Sequence, residues 1–167
     1  MAQHSSYVTV DGEFDSLEDR SFLTIDDYDL SGQNVILRID INSSINPENG
    51  DLLDDTRIRR HSATVKELSD KYARVIVLAH QSRPGKLDFV NLEKHGERMS
   101  QIINKEIKFI DDIYGKEAIK HINNMKDGEI ILLDNVRFDD EEIELSKFMN
   151  DNFDLQRKSK MVRKLSP

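Results

Sequence analysis

The chain has 167 residues, a net charge of −8 and no cysteine. That length holds one domain with a substantial core but not two ordinary domains, and the missing thiols exclude disulfides, thiolate nucleophiles and thiolate metal sites. Eight acids and a single base, Arg20, fall in residues 1–30, so the remainder is close to neutral, a balance that suits a small anionic ligand better than a nucleic-acid backbone, which calls for a broad basic face.

From Met1 to about Arg20 the chain is polar, acidic and aperiodic, so residues 1–20 are expected to form a disordered extension. Met1–Ser6 lacks the basic and apolar regions of a signal peptide, and no run approaches the roughly 18 apolar residues of a membrane helix. A soluble, cytoplasmic protein with no membrane or nucleic-acid partner is expected. Order should begin near Phe22–Ile25. Ser31-Gly32 turns the chain into Val35–Ile41, a β-branched run suited to a buried strand, and Asn46–Gly50 breaks the pattern as a turn does.

Ile58, Val65 and Leu68 stand near helical spacing between Asp55 and about Lys71, with Asp55 placed to cap the helix start. Val75–Ala79 predicts a second buried strand ending at His80. A helix over Asn91–Asn104, a short strand over Glu106–Ile110, a helix over Ile113–Met125 and a buried strand over Glu129–Leu133 follow. Helix resumes over Asp140–Met149, and Arg157–Lys164 is basic. Strands alternating with helices at this spacing predict an α/β fold, an open parallel sheet with helices on both faces in a Rossmann-like three-layer arrangement.

Ligands of such sheets sit beyond the carboxyl ends of the strands, where loops and helix starts converge. The residues there are Asp40 and Asn42, then His80–Arg83, then Asp134–Arg137. A guanidinium offers planar paired donors that match phosphate or carboxylate oxygens, so Arg83 and Arg137 on one edge suggest an anion site. Arg57 at a helix start adds a third cation or lies on the solvated side of its helix. Asp40 and Asn42 point to one side of an extended backbone, which suits a hydroxyl-bearing ligand or a strand-end Asx turn. His80 is either a ligand-binding group or a capped core histidine. The acidic run Asp139–Glu142 reads as helix-dipole compensation rather than a metal site. The basic run near Arg157 has no interleaved aromatics and reads as a solvated helix face. There is no glycine-rich phosphate loop and no paired histidine ligands.

Taken together, four segments resemble the motifs of phosphoglycerate kinases, in family order. Leu37–Asn42 resembles the first-strand motif, and Asp54–Arg59 the segment that opens the first helix. Ala79–Gly85 is similar to the His-x-x-Arg-Pro loop in its archaeal Gln-Ser form, and Leu132–Phe138 to the Glu-Asn-x-Arg-Phe motif, with Asp134 in place of the glutamate. Ser43-Ser44 stands where many members have proline or valine. The resemblance covers about Phe22 to the end of the chain and implies that residues 21–167 are an incomplete N-terminal, phosphoglycerate-binding domain, without the C-terminal nucleotide-binding domain.

It further implies phosphoryl transfer between 1,3-bisphosphoglycerate and ADP, in glycolysis and gluconeogenesis, by an intact monomeric enzyme that uses Mg-ATP or Mg-ADP. No nucleotide or metal site is expected within these residues, and the 167 residues alone are expected to be inactive. Carried over by motif, Asp40, Asn42, His80, Gln81, Ser82, Arg83 and Arg137 bind the triose acid. Arg57 binds it too and acts in catalysis beside the transferring phosphoryl. The alternative is a non-catalytic anion-binding α/β module. The strand absent past Pro167 in this resemblance implies an uncovered sheet edge or helix surface.

Overall fold

The computed structural model of the chain describes residues 23–145 and 157–165. The extension expected over residues 1–20, Phe22 and the latter part of the helix expected over Asp140–Met149 lie outside the described residues. Thr24 caps the first described turn: its hydroxyl accepts from Asp26 N at 3.3 Å and its own N–H donates to the Asp27 carboxylate at 2.7 Å, at the start of a 3₁₀ turn over Ile25–Asp27. The regular elements follow as β1 (Asn34–Arg38), α1 (Thr56–Asp70), β2 (Arg74–Leu78), α2 (Glu93–Ile103), β3 (Lys108–Ile110), α3 (Lys116–Asn123), β4 (Ile130–Leu133), α4 (Asp140–Leu145) and α5 (Lys160–Leu165). All the strands are parallel, in the order β1-β2-β4-β3.

Past Arg74, which opens β2 and pairs with Asp127, the central strands are apolar because both of their faces are covered. Val75 and Val77 of β2 and Ile130 and Leu132 of β4 pack under Ile58, Val65 and Leu68 of α1 and Met99 and Ile103 of α2. The alternate residues Ile76, Leu78, Ile131 and Leu133 face Ala118 of α3 and Met161 of α5. Full burial of each such side chain stabilises the fold by about 1.5–3 kcal/mol. The expected three-layer α/β arrangement is the one observed.

Val35–Ile41 is not a buried strand: β1 ends at Arg38 and lies at the sheet edge, where Val35 and Leu37 pack under α1 and Ile36 stays 41% exposed. A short apolar run does not distinguish a central strand from an edge strand covered on one face. Asp55 makes no capping bond to α1; its carboxylate instead accepts from Arg59 at 2.8 Å and from Arg98 of α2 at 2.7 Å, tying the two helices together. Helix α3 starts at Lys116 rather than Ile113 because the Asp112 carboxylate accepts the N–H groups of Ile113, Gly115 and Ala118 and holds the preceding loop in a turn. The basic C-terminal segment is helical with Lys160, Arg163 and Lys164 exposed, yet Met161 is buried against the second core layer.

Candidate functional site

Parallel pairing carries the ends of β1, β2 and β4 to one edge, and the segments leaving them are bonded to one another. After β2 the chain turns through Gln81 and Ser82. Gln81 is fully buried and its side chain points inward: Nε2 donates to Ser43 O at 2.9 Å while Oε1 accepts from Ser43 N at 2.9 Å. Its main chain is gripped by Asn135 beyond β4, whose Nδ2 donates to Gln81 O at 2.8 Å and whose Oδ1 accepts from Gln81 N at 3.3 Å. Asn135 Nδ2 also donates to Val90 O at 3.0 Å, and Oδ1 accepts from Arg137 N at 3.2 Å. One buried amide thus fixes the β2 and β4 loops against each other.

Ser82 has φ +56°, a left-handed backbone that costs energy for a residue with a Cβ and persists only when its surroundings hold it. Three bonds do so. Its N–H donates to Asn42 Oδ1 at 2.8 Å, its hydroxyl donates to Asp88 at 2.6 Å, and its carbonyl accepts from the Arg137 guanidinium at 2.6 Å. Asn42 therefore belongs to the first loop but positions the second, and Arg137 reaches back from the third.

Asp40 is exposed at the end of the β1 segment. Its Oδ1 accepts from Asn42 N at 3.1 Å, the Asx turn expected as one of two readings, and its Oδ2 is ion-paired with Arg57. Partial burial pushes the Asp40 carboxyl up, but the Asn42 N–H and Arg57 outweigh it and hold it below the usual carboxylate range. His80 is half-buried, and burial first, then the nearby Arg137, lowers its pKa. The charges that act on His80 include Arg137, Asp40, Arg38 and Glu142, so residues from three strand ends and α4 share one neighbourhood. Arg38 Nη1 donates to Glu142 at 3.1 Å, closing α4 onto β1.

Arg83 and Arg137 line the same cleft of about 300 Å³ with Pro84, Glu142 and Ile143. Arg83 is exposed and its guanidinium has no hydrogen-bond partner among the described residues. Two guanidiniums at one cleft, one of them uncommitted, are the donor set of an anion site. A larger cavity of about 610 Å³ lies at the far end of the edge, but Asp111, Asp134, Asp139, Asp140 and Glu141 line it and would repel an anion. Among the described residues no group of three or more histidine and acidic side chains is arranged to hold a metal ion.

The structure thus brings together Asp40, Asn42, Arg57, His80, Ser82, Arg83 and Arg137. It separates Gln81 from them in kind, since that side chain is buried scaffolding rather than a surface group. Sequence reasoning assigned no role to Ser43, Asp88, His95 or Asn135. Asn135 falls inside the Leu132–Phe138 motif, and His95 lies among apolar helix positions with Leu92, Met99 and Ile103, where a lone polar residue is a signal in itself.

The family model described as phosphoglycerate kinase matches residues 25–167. The chain is 47% identical over 146 residues to the phosphoglycerate kinase of Methanothermobacter thermautotrophicus and 48% identical over 145 residues to that of Methanothermus fervidus, each alignment covering 87% of this chain and 34% of the relative. The crystal structure of phosphoglycerate kinase from Pyrococcus horikoshii superposes with a TM-score of 0.78 at 29% identity, over 87% of this chain and 34% of that one. The chain spans about a third of the length of the relatives it matches.

Proposed function

The chain belongs to the phosphoglycerate kinase family, and on that premise we propose that its strand-end cleft is the triose half of a phosphoglycerate kinase site. The observation that carries this reading is the pairing of Arg83 and Arg137 at one cleft beside His80. The ligand is 3-phosphoglycerate or 1,3-bisphosphoglycerate, whose phosphate and carboxylate oxygens match two guanidiniums. His80, depressed below its usual pKa, serves at neutral pH as a neutral hydrogen-bonding group rather than a third cation. Asp40 takes a substrate hydroxyl, and Asn42, whose Oδ1 is committed to Ser82, offers its amide nitrogen.

Arg57 is the residue of this chain placed to act on the reaction. Both it and Asp40 are half exposed, and an exposed ion pair is worth about 0–1 kcal/mol, so the guanidinium exchanges the carboxylate for a phosphoryl oxygen at little cost. Positive charge held at the transferring group stabilises the charge that spreads over its oxygens in the transition state. Mg-ATP or Mg-ADP belongs to the intact enzyme. In this reading the nucleotide and its metal are held outside these residues, and the 167 residues alone bind without turning over.

No helix among the described residues is long and apolar enough to cross a membrane. The family reading makes the intact enzyme cytoplasmic and monomeric, with neither a membrane nor a nucleic-acid partner. Calorimetric titration with 3-phosphoglycerate tests the proposal. Binding that falls about tenfold or more in Arg83→Ala and in Arg137→Ala supports it. Equal affinity for inorganic phosphate would favour a generic anion-binding module, and absence of binding would overturn both readings.

A further inference from the structure

His95 lies on α2, and nothing places it against a ligand: it is 1% exposed. Its Nε2 is 3.1 Å from Gln81 Oε1. The orientation of the Gln81 amide is fixed independently, because its nitrogen must face Ser43 O and its oxygen must face Ser43 N. A flipped amide would set donor against donor and acceptor against acceptor. Gln81 Oε1 can only accept, so His95 Nε2 carries the proton and donates it. Nδ1 is then a bare lone pair, which agrees with its burial without a partner. An orphan acceptor is tolerated here, whereas a protonated Nδ1–H would be buried with nothing to receive it. Burial accordingly lowers the His95 pKa to about 4, so the ring is neutral through the physiological range.

The Gln81 side chain is the strut between the β1 and β2 loops. On one side it grips Ser43, next to Asn42 and close to Asp40. On the other, its own main chain leads directly into Ser82, which is bonded to Asn42 and Arg137. The two Ser43 bonds already set which way the Gln81 amide faces; the bond from His95 anchors that amide to α2 and so fixes where the strut stands, and with it how far Asp40 and Asn42 stand from His80 and Arg83.

We propose that His95 is a positioning residue of the triose site, acting through the relay His95–Gln81–Ser43 to fix the spacing of the β1 and β2 loops. The inference rests on the reading of that cleft as a 3-phosphoglycerate site, but the relay itself can be observed without ligand. His95→Phe keeps the ring and removes the donor, and His95→Gln restores an N–H near the Nε2 position.

The experiment uses the 167-residue chain labelled with ¹⁵N. In the unmodified protein the imidazole spectrum should show His95 as the Nε2–H tautomer with a slowly exchanging proton; an Nδ1–H tautomer would overturn the proposal before any variant is made. In His95→Phe the amide signals of Ser43 and Ser82 should move and 3-phosphoglycerate affinity should fall about tenfold, with both effects largely reversed in His95→Gln. A folded His95→Phe protein with unmoved Ser43 and Ser82 signals, or a His95→Gln protein as impaired as His95→Phe, would refute the relay. If the unmodified chain does not bind 3-phosphoglycerate, the triose reading fails, and the Ser43 and Ser82 signals still decide whether His95 fixes the loops. Should His95→Phe not fold, the tautomer and the His95→Gln spectrum decide the matter in the same way.

Discussion

Gln81 and Ser43, on different loops, exchange two hydrogen bonds of 2.9 Å, the side-chain amide of one pairing with the main chain of the other as a neighbouring strand would. The pairing extends the sheet's cohesion past the end of β1, where regular strand bonding stops, and holds the β1 loop in place for the cleft. The groups that would touch a ligand, Arg83 and Arg57, are exposed, while those that set their spacing are buried.

Replacing Gln81 by Leu leaves Ser43 N–H and C=O and the His95 Nε2–H without partners in a buried place. Each orphaned group costs about 1–3 kcal/mol, so Gln81→Leu should lower unfolding stability by about 3 kcal/mol or more in urea. A loss within the ordinary range of surface substitutions would show that water or a rearranged loop replaces these bonds.

Acid should weaken the fold through His95. Its pKa is about 4 in the folded chain and about 6.5 when unfolded, so between those values the unfolded state binds more protons and stability falls as pH falls. The full loss from this group is about 3 kcal/mol, complete near pH 4. His95→Phe removes that contribution, so its stability should decline less steeply over this interval when both proteins are unfolded at a series of pH values.

Asp134 bears on the opposite end of the scale. It is 4% exposed, and burial raises its pKa although the N–H groups of Leu92 and Asn135 pull it down. A carboxyl raised on folding contributes stability at low pH that is lost as pH rises through its folded value. Asp134→Asn keeps an Oδ1 acceptor for both N–H groups and removes the buried charge. It should therefore raise the denaturation midpoint at neutral pH and lose that advantage in acid; equal effects at both would contradict the assignment.

The loop before α3 leaves little room for a side chain. A Cβ on Gly115 would lie 2.6 Å from the Asp112 carboxylate, which itself accepts from Ile113, Gly115 and Ala118. Gly115→Ala displaces that carboxylate and should cost about 1–3 kcal/mol, measured as a lowered unfolding midpoint. An unchanged midpoint would mean that the Asp112 turn contributes little.

The layers and the cleft's location were legible because apolar runs at β2 and β4 and the helical spacing of Ile58, Val65 and Leu68 follow directly from burial on two faces. The edge position of β1 was not, since Val35–Leu37 reads the same whether covered on one face or two. Arg83, Arg137 and His80 could be found at strand ends, because parallel sheets gather ligands there. Their supports could not: the Gln81–Ser43 pairing, the Asn135 clamp and the His95 contact join residues far apart in the chain, and each residue alone is an ordinary polar side chain. Gln81 shows the limit most clearly, being selected as a ligand-binding residue from its motif and found turned into the interior.

The most direct test of the triose site is to follow backbone amide signals of the chain during titration with 3-phosphoglycerate. The account predicts saturable shifts confined to the segments Asp40–Ser43, His80–Arg83 and Asn135–Arg137, abolished together in an Arg83→Ala, Arg137→Ala double variant. Saturable shifts centred instead on the acidic cavity around Asp111 and Asp139, or no shifts even at ~10 mM ligand, would contradict it.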